Sequence, residues 1–145
     1  MKKGFTIIEL VIVISVLIIL IGIAIPRMKG MQQSGQVVKV KGELQTLQAA
    51  MESYYSNNGN VYAPTSTTPT ATYFVGQTPQ IIASVMYDPF NNGTTEYNLV
   101  SSTAGFYAFG SVGTGGSYTA FSITGTGAVT HTPATTYCVT NGSGC

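Results

Sequence analysis

The stretch that most constrains this chain is Gly4–Pro26, which reads GFTIIELVIVISVLIILIGIAIP. Within Phe5–Ile25 the only charged side chain is that of Glu9. An α-helix needs about 20 mostly apolar residues to cross a bilayer, so this segment predicts a membrane-spanning helix. Lys2 and Lys3 precede it and favour a cytoplasmic N-terminus. A carboxylate inside such a helix is costly unless it has a partner, so Glu9 is a candidate functional residue.

Two simpler interpretations of this segment are a cleaved signal peptide and a plain single-pass anchor. A signal peptide has an apolar core of about 7–15 residues followed by a small-x-small cleavage site. This stretch is longer, and Pro26 and Arg27 follow it. A plain anchor explains the length but not the Gly4–Phe5 junction or Glu9. The segment is therefore predicted to be retained and to do more than anchor the chain.

The run KGFTIIEL at residues 3–10, followed by an apolar helix, resembles the class III signal of type IV pilins and of type II secretion pseudopilins. The resemblance covers residues 3–26. It implies cleavage between Gly4 and Phe5 by a prepilin peptidase and N-methylation of the new Phe5 amine. The apolar helix would then be kept as the core of a filament.

The resemblance implies a structural subunit of a type IV pilus-like filament. Its partners would be further copies of itself, the prepilin peptidase, an inner-membrane platform protein and an assembly ATPase. The precursor would sit in the inner membrane through Phe5–Ile25 and then enter an extracellular pilus. The alternative within the superfamily is a pseudopilin that forms a short periplasmic filament for protein transport. A monomeric, membrane-anchored binding module is the alternative from another class, and roles in adhesion or motility stay open.

Glu9 is predicted to act in assembly. A lone carboxylate needs a partner both in lipid and in a filament core. The free Phe5 amine of a neighbouring subunit is the obvious counter-charge. Such a pair would set the axial register of subunits, as a buried polar group does in coiled coils.

The charges are unevenly distributed along the chain. All six Lys and Arg lie at or before Lys41, and four of the five acids follow it. Removal of Lys2 and Lys3 leaves four basic and five acidic side chains, a formal sum of −1. The exposed domain therefore has no basic patch, and nucleic-acid binding is not supported. Arg27 and Lys29 flank the outer end of the apolar helix and are expected to meet phospholipid headgroups or neighbouring subunits.

A second helical pattern follows the apolar stretch. Its apolar residues are spaced by three and four positions and form one face: Val37, Val40, Leu44, Leu47, Met51 and Tyr54. The cluster Asn57–Asn60 is a stop signal. One helix from Phe5 to about residue 57 would be roughly 80 Å long. Gly22 and Pro26 predict a kink in it, either as a simple bend or as a region that unwinds on assembly.

The rest of the chain predicts an α+β fold. Residues 61–78 read as a Thr- and Pro-rich surface loop, and residues 79–87 as a short helix with proline in its first turn. Four strands are predicted at 96–101, 105–112, 118–124 and 127–132, with hairpin turns at 112–117 and 124–127. A three- or four-stranded antiparallel sheet would pack on the second half of the helix, as in type IV pilins.

These patterns divide the chain into five parts. They are the leader at 1–4, the transmembrane or filament-core helix at 5–26 and the amphipathic half of the helix at 27–58. A connecting loop with a short helix follows at 59–95, and the sheet and C-terminal loop at 96–145.

The only two cysteines are Cys138 and Cys145, and an even count in an exported domain favours one disulfide over two free thiols. The Cys138–Cys145 pair resembles the C-terminal disulfide loop of many type IVa pilins. The calcium loop of the major pseudopilin has no counterpart here, because residues 110–118 contain no Asp or Glu. No cofactor or metal site is predicted. His131 is the only histidine and reads as a strand-end residue, so no catalytic set is predicted.

Overall fold

The computed structural model describes residues 4–113, 120–132 and 137–145, and for Pro26 and Arg27 it describes the backbone alone. Helix α1 spans Ile7–Asn57, 51 residues, so the prediction of one long helix is confirmed. The chain divides into two compact units between Gly35 and Gln36, and α1 contributes to both. The architecture is α+β, since the second unit adds small antiparallel sheets.

In the first unit, the helical segment up to Ile25 is apolar on every side apart from Glu9 and Ser15. Its large apolar side chains are exposed, and their exposed fractions lie between 45% at Ile14 and 85% at Ile7. An 18-residue window of α1 has a mean hydropathy of 3.2, and none of it is buried within the chain. By length and composition this helix could cross a membrane.

In the second unit, α1 supplies one wall of the hydrophobic core. Val40, Leu44, Leu47 and Met51 are at most 1% exposed, which confirms the predicted apolar face. They pack with residues from the loops and sheet, among them Phe74, Tyr97, Leu99, Tyr107 and Phe109. Burying this stripe supplies most of the free energy that holds this part of α1 in place.

The helix ends where the asparagine cluster predicts. Asn58 N donates to Tyr54 O at 2.9 Å, and Asn60 N donates to Tyr55 O at 3.0 Å. Gly59 and Asn60 have φ angles of 69° and 64°, a left-handed conformation that glycine and asparagine tolerate best. The chain therefore leaves the helix at this point and turns back along the core.

The second unit contains five described strands in two antiparallel sheets. They are β1 Asn98–Ser101, β2 Tyr107–Ser111, β3 Ala120–Ile123, β4 Val129–Thr132 and β5 Tyr137–Thr140. One sheet has the order β1-β2-β5 and the other pairs β3 with β4. A three-stranded antiparallel sheet is therefore present, as predicted, but the assignment of the predicted strands to it is wrong, since two of them form a separate two-stranded sheet.

The missed strand, β5, explains that error. It pairs with β2 in the register Phe109↔Val139 and Gly110↔Cys138. The short spacing along the sequence favoured β3 as the neighbour of β2, but β3 pairs with β4. The turn predicted at 112–117 lies mostly outside the described residues. The turn at 124–127 is confirmed, since Gly127 N donates to Thr124 O at 3.0 Å.

The segment between α1 and β1 also differs from the prediction. A short π-helix lies at Thr70–Val75, inside the predicted loop, and residues 79–87 form bends instead of a helix. The peptide bond between Thr78 and Pro79 is cis. Phe74 is fully buried, and Ile81 N donates to Phe74 O at 2.9 Å. Tertiary contacts thus place the helical turn where an aromatic side chain reaches the core.

Candidate functional site

The candidate assembly site is the first turn of α1. Thr6 directly precedes the helix and Glu9 is its third residue, the spacing of a capping box. Glu9 N donates to Thr6 Oγ1, and the Thr6 hydroxyl donates to Glu9 Oε2, both at 3.4 Å. The bonds are long and exposed, so they hold the carboxylate near the helix start without burying it.

The residues of the predicted processing junction lie beside this turn. Gly4 and Phe5 precede the helix in non-helical conformation. Among the described residues, nothing lies within 4 Å of a Cβ placed on Gly4. Gly4 is exposed, and Phe5 is 79% exposed. The structure thus places two exposed residues next to the only acid of the apolar segment.

The predicted kink lies further along α1. Helical backbone continues through Gly22 and Pro26 to Asn57, and among the described side chains nothing lies within 4 Å of a Cβ placed on Gly22. Ser15, a further polar residue of the apolar segment, donates its hydroxyl to Val11 O at 2.7 Å, so it is satisfied within the helix. Bending or unwinding at Gly22–Pro26 stays a prediction.

In the second unit, two acids of α1 accept hydrogen bonds from tyrosines on the sheet side of the core. Tyr97 donates its hydroxyl to Glu43 Oε2 at 2.5 Å, and Tyr107 donates to Glu52 Oε1 at 2.8 Å. Helix residues are about 100° apart, so Glu43 and Glu52 lie on opposite flanks of the buried stripe. In the helical pattern of the sequence both acids fall outside the apolar face. The folded chain brings each acid beside a tyrosine some 50 residues away, and only this contact shows that the acids hold the sheet side against α1.

These contacts raise the pKa values of the tyrosine hydroxyls. Burial, reinforced by the hydrogen bond to Glu43 and by its negative charge, raises the pKa of Tyr97 well above its usual value. Burial and Glu52 raise the pKa of Tyr107 in the same direction. Tyr62, which donates to Glu52 Oε2 at 3.2 Å, has a raised pKa mainly from burial. The neutral phenols are therefore favoured in the fold.

The other two acids of the domain are buried and organise loops. Glu96 Oε2 accepts hydrogen bonds from Thr70 N at 2.7 Å, Thr70 Oγ1 at 2.5 Å and Ala71 N at 3.2 Å. It thereby satisfies the free N–H groups at the start of the π-helix. Sequence reasoning gave it no role.

Asp88 is the second buried acid that accepts several hydrogen bonds. Its carboxylate is 1% exposed and accepts hydrogen bonds from Phe90 N at 2.9 Å, Ser111 Oγ at 2.9 Å and Val112 N at 2.8 Å. These bonds tie the chain before β1 to the end of β2. The Asp88-Pro89-Phe90 segment is thus a structural junction.

The charges of the second unit are consequently almost all engaged within the chain. Lys39 pairs with Glu43 at 3.7 Å, and Lys41 lies over the ring of Tyr137 at 5.9 Å. Tyr137 in turn stacks on Phe90. Within the described residues, every carboxylate side chain of this unit has a hydrogen-bond donor from the chain itself.

The C-terminal segment carries the disulfide that the cysteine count predicts, between Cys138 and Cys145. The loop it closes is fixed to both sheets. Asn141 Oδ1 accepts from Tyr107 N at 2.8 Å, and Asn141 Nδ2 donates to Gly105 O at 3.1 Å. Val129 N donates to Ser143 O at 2.8 Å. Asn141 therefore connects the C-terminal loop to the β1–β2 connection.

Among residues 4–113, 120–132 and 137–145, no three His, Cys, Asp or Glu side chains come together as a metal site. His131 lies in β4. Comparisons with family models, with curated proteins and with solved structures found no match.

Proposed function

We propose that this chain is the precursor of a structural subunit of a type IV pilus-like filament, with a pilin-like fold. The observation that carries the proposal is the exposed apolar half of α1 with one carboxylate, Glu9, in its first turn. An apolar surface of this extent is stable only in lipid or against other apolar helices.

Glu9 distinguishes a polymer from a plain anchor. A single-pass anchor gains nothing from an acid in its first turn, where it adds a desolvation cost. In a filament, the Phe5 amine that prepilin peptidase would release supplies a positive charge on the adjacent subunit. The exposed carboxylate, held only by long bonds to Thr6, is free to take that partner. Repeated head-to-tail contacts of this kind do not close and so build fibres.

The second unit suits display on such a fibre. Its carboxylates are satisfied internally, and its C-terminus is fixed by a disulfide. The disulfide loop favours a pilin over a pseudopilin, because the resemblance associates such a loop with type IVa pilins. Insertion, extraction and assembly would use the inner-membrane platform protein and the assembly ATPase named above.

The test is intact-mass spectrometry of material sheared from the surface of cells that express the chain. We expect a species that begins at N-methylated Phe5, carried in long thin fibres. The processed chain found only in the cell envelope would favour the pseudopilin. A chain that still begins at Met1, or one cut after Ile25, would refute the prepilin assignment.

A further inference from the structure

Three Asn–Gly pairs occur in this chain, at Asn58–Gly59, Asn92–Gly93 and Asn141–Gly142. In such a pair the side-chain carboxamide lies next to a backbone nitrogen that no Cβ shields. Attack of that nitrogen on the carboxamide carbon forms a five-membered ring, and it requires both groups to leave their hydrogen bonds. The three pairs share the same local chemistry but differ in the number of hydrogen bonds that ring closure must break.

Asn141–Gly142 is held most firmly. Both polar atoms of the Asn141 carboxamide are bonded, to Tyr107 N and to Gly105 O, and Gly142 N donates to Thr140 Oγ1 at 3.0 Å. Gly142 also packs so closely on Gly127 that even a Cβ would collide with that backbone. Ring closure here must break three hydrogen bonds.

Asn58–Gly59 is held at the end of α1. Asn58 Nδ2 donates to Tyr54 O at 3.0 Å. Rotation about the Asn58 backbone would also carry Asn60 away from Tyr55 O, to which it donates at 3.0 Å. Ring closure therefore breaks two hydrogen bonds and unwinds the helix end.

Asn92–Gly93 is held least. Both residues are exposed, with φ angles of 57° and 63° in the turn that follows Asp88. Within the described residues the Asn92 carboxamide makes no hydrogen bond, and the one bond that ring closure breaks runs from Gly93 N to Asp88 O at 3.1 Å.

We propose that Asn92 is a site of spontaneous deamidation in this protein. The Gly93 nitrogen gives up its proton to base, and its lone pair attacks Cγ of Asn92. The carboxamide nitrogen takes a proton and leaves as ammonia, which gives a cyclic imide. Water then adds to either imide carbonyl and opens the ring to aspartate or isoaspartate. No oxidant, enzyme or cofactor takes part.

The product adds a side-chain carboxylate to this unit. The four acidic side chains that the structure describes there accept hydrogen bonds from the chain, whereas the new acid at position 92 would lie in an exposed turn. The isoaspartate form also adds a backbone carbon between Asp88 and Gly93, in the turn where Asn91 N and Gly93 N both donate to Asp88 O. Deamidation would thus mark aged molecules by charge and loosen the Asp88 junction. The inference does not depend on filament assembly.

The experiment incubates the full-length chain in detergent micelles at mildly alkaline pH and follows all three pairs by peptide mapping with mass spectrometry. A net hydrogen bond slows a step that must break it by roughly five-fold. We expect Asn92 to react about five-fold faster than Asn58 and about 25-fold faster than Asn141.

The same chain in concentrated urea is the matched control, because the three pairs then have only their shared local chemistry. There the rates should converge. Equal rates in the folded chain, or the same ranking in urea as in the folded chain, would overturn the proposal. A second variant, Asn92→Gln, should remove the fastest conversion and leave the other two rates unchanged.

Discussion

The hydroxyl of Tyr97 lies 2.5 Å from Oε2 of Glu43 and donates a hydrogen bond to it. Tyr97 directly precedes β1 and is fully buried, while Glu43 lies on the flank of α1. The pair therefore fixes the start of the sheet against the helix. Glu52 and Tyr107 do the same on the opposite flank. The first four predictions below concern the bonds that hold the second unit together, and the last, with its graded version at Thr6, concerns the first turn of α1.

Tyr97→Phe should lower the free energy of unfolding by about 1–2 kcal/mol, since it removes a hydrogen bond to a charged acceptor while keeping the ring. Urea unfolding of the full-length chain in micelles, followed by near-ultraviolet circular dichroism, measures the change. Tyr54→Phe is the matched control, because within the described residues the Tyr54 hydroxyl has no hydrogen bond. It should shift stability by less than about 0.5 kcal/mol. Equal effects of the two substitutions would contradict the assigned bond.

Alkaline pH should destabilise the second unit. The folded pKa values of Tyr97 and Tyr107 lie above the ordinary tyrosine value of about 10. Their contribution is therefore complete below pH of about 10 and is lost as pH rises above it, because only the unfolded chain then releases these protons. The limiting slope is about 1.4 kcal/mol per pH unit for each tyrosine. Unfolding curves measured across this range should show it, and the double variant Tyr97→Phe/Tyr107→Phe should flatten it.

Glu96→Ala should be strongly destabilising. The substitution leaves the buried N–H and hydroxyl of Thr70 and the partly buried N–H of Ala71 without their acceptor, at a cost of about 3 kcal/mol or more. Glu96→Gln keeps an oxygen acceptor and should cost less. The two variants are compared by thermal unfolding. If alanine and glutamine behave alike, the three bonds do not contribute as the geometry implies.

Reduction of the disulfide should loosen the C-terminal loop. Closing a loop of this length stabilises a fold by about 2 kcal/mol in the chain-entropy model. We expect Cys138→Ser/Cys145→Ser to lose about that amount of stability, measured by urea unfolding without reductant. Adding reductant should lower the stability of the native chain to the same level and leave the variant unchanged. A native chain indifferent to reductant would argue against the bond.

Glu9→Val should leave membrane insertion intact and abolish fibres, because it removes the carboxylate proposed to pair with the Phe5 amine. Cell fractionation measures insertion, and electron microscopy of sheared material measures fibres. Normal fibre yield would refute the role of Glu9.

Thr6 offers a graded version of that experiment. Thr6→Ala removes the hydroxyl that holds Glu9, whereas Thr6→Ser keeps it. If the capping contact positions the carboxylate, fibre yield should fall for alanine and recover for serine. Equal fibre yields for the alanine and serine variants would show that Glu9 does not need the Thr6 hydroxyl.

The sequence by itself determined the features that depend on neighbouring residues. The apolar run Phe5–Ile25 predicts a helix long enough to cross a bilayer, and the three–four spacing from Val37 onward identifies the buried stripe of the second half of α1. Asn57–Asn60 marks the helix end because left-handed backbone there suits asparagine and glycine. The two cysteines leave only one possible intrachain bond.

Only the tertiary structure decided which distant parts meet. The strand β5 pairs with β2 across the intervening β3–β4 hairpin, and no local pattern distinguishes that partner from the nearer one. Glu43 and Glu52 read as solvated acids until Tyr97 and Tyr107 are brought beside them. Glu96 likewise looks ordinary until it caps a helical turn 25 residues earlier. These contacts depend on burial, since a carboxylate or a phenol that leaves water must find a hydrogen-bond partner wherever the folded chain supplies one.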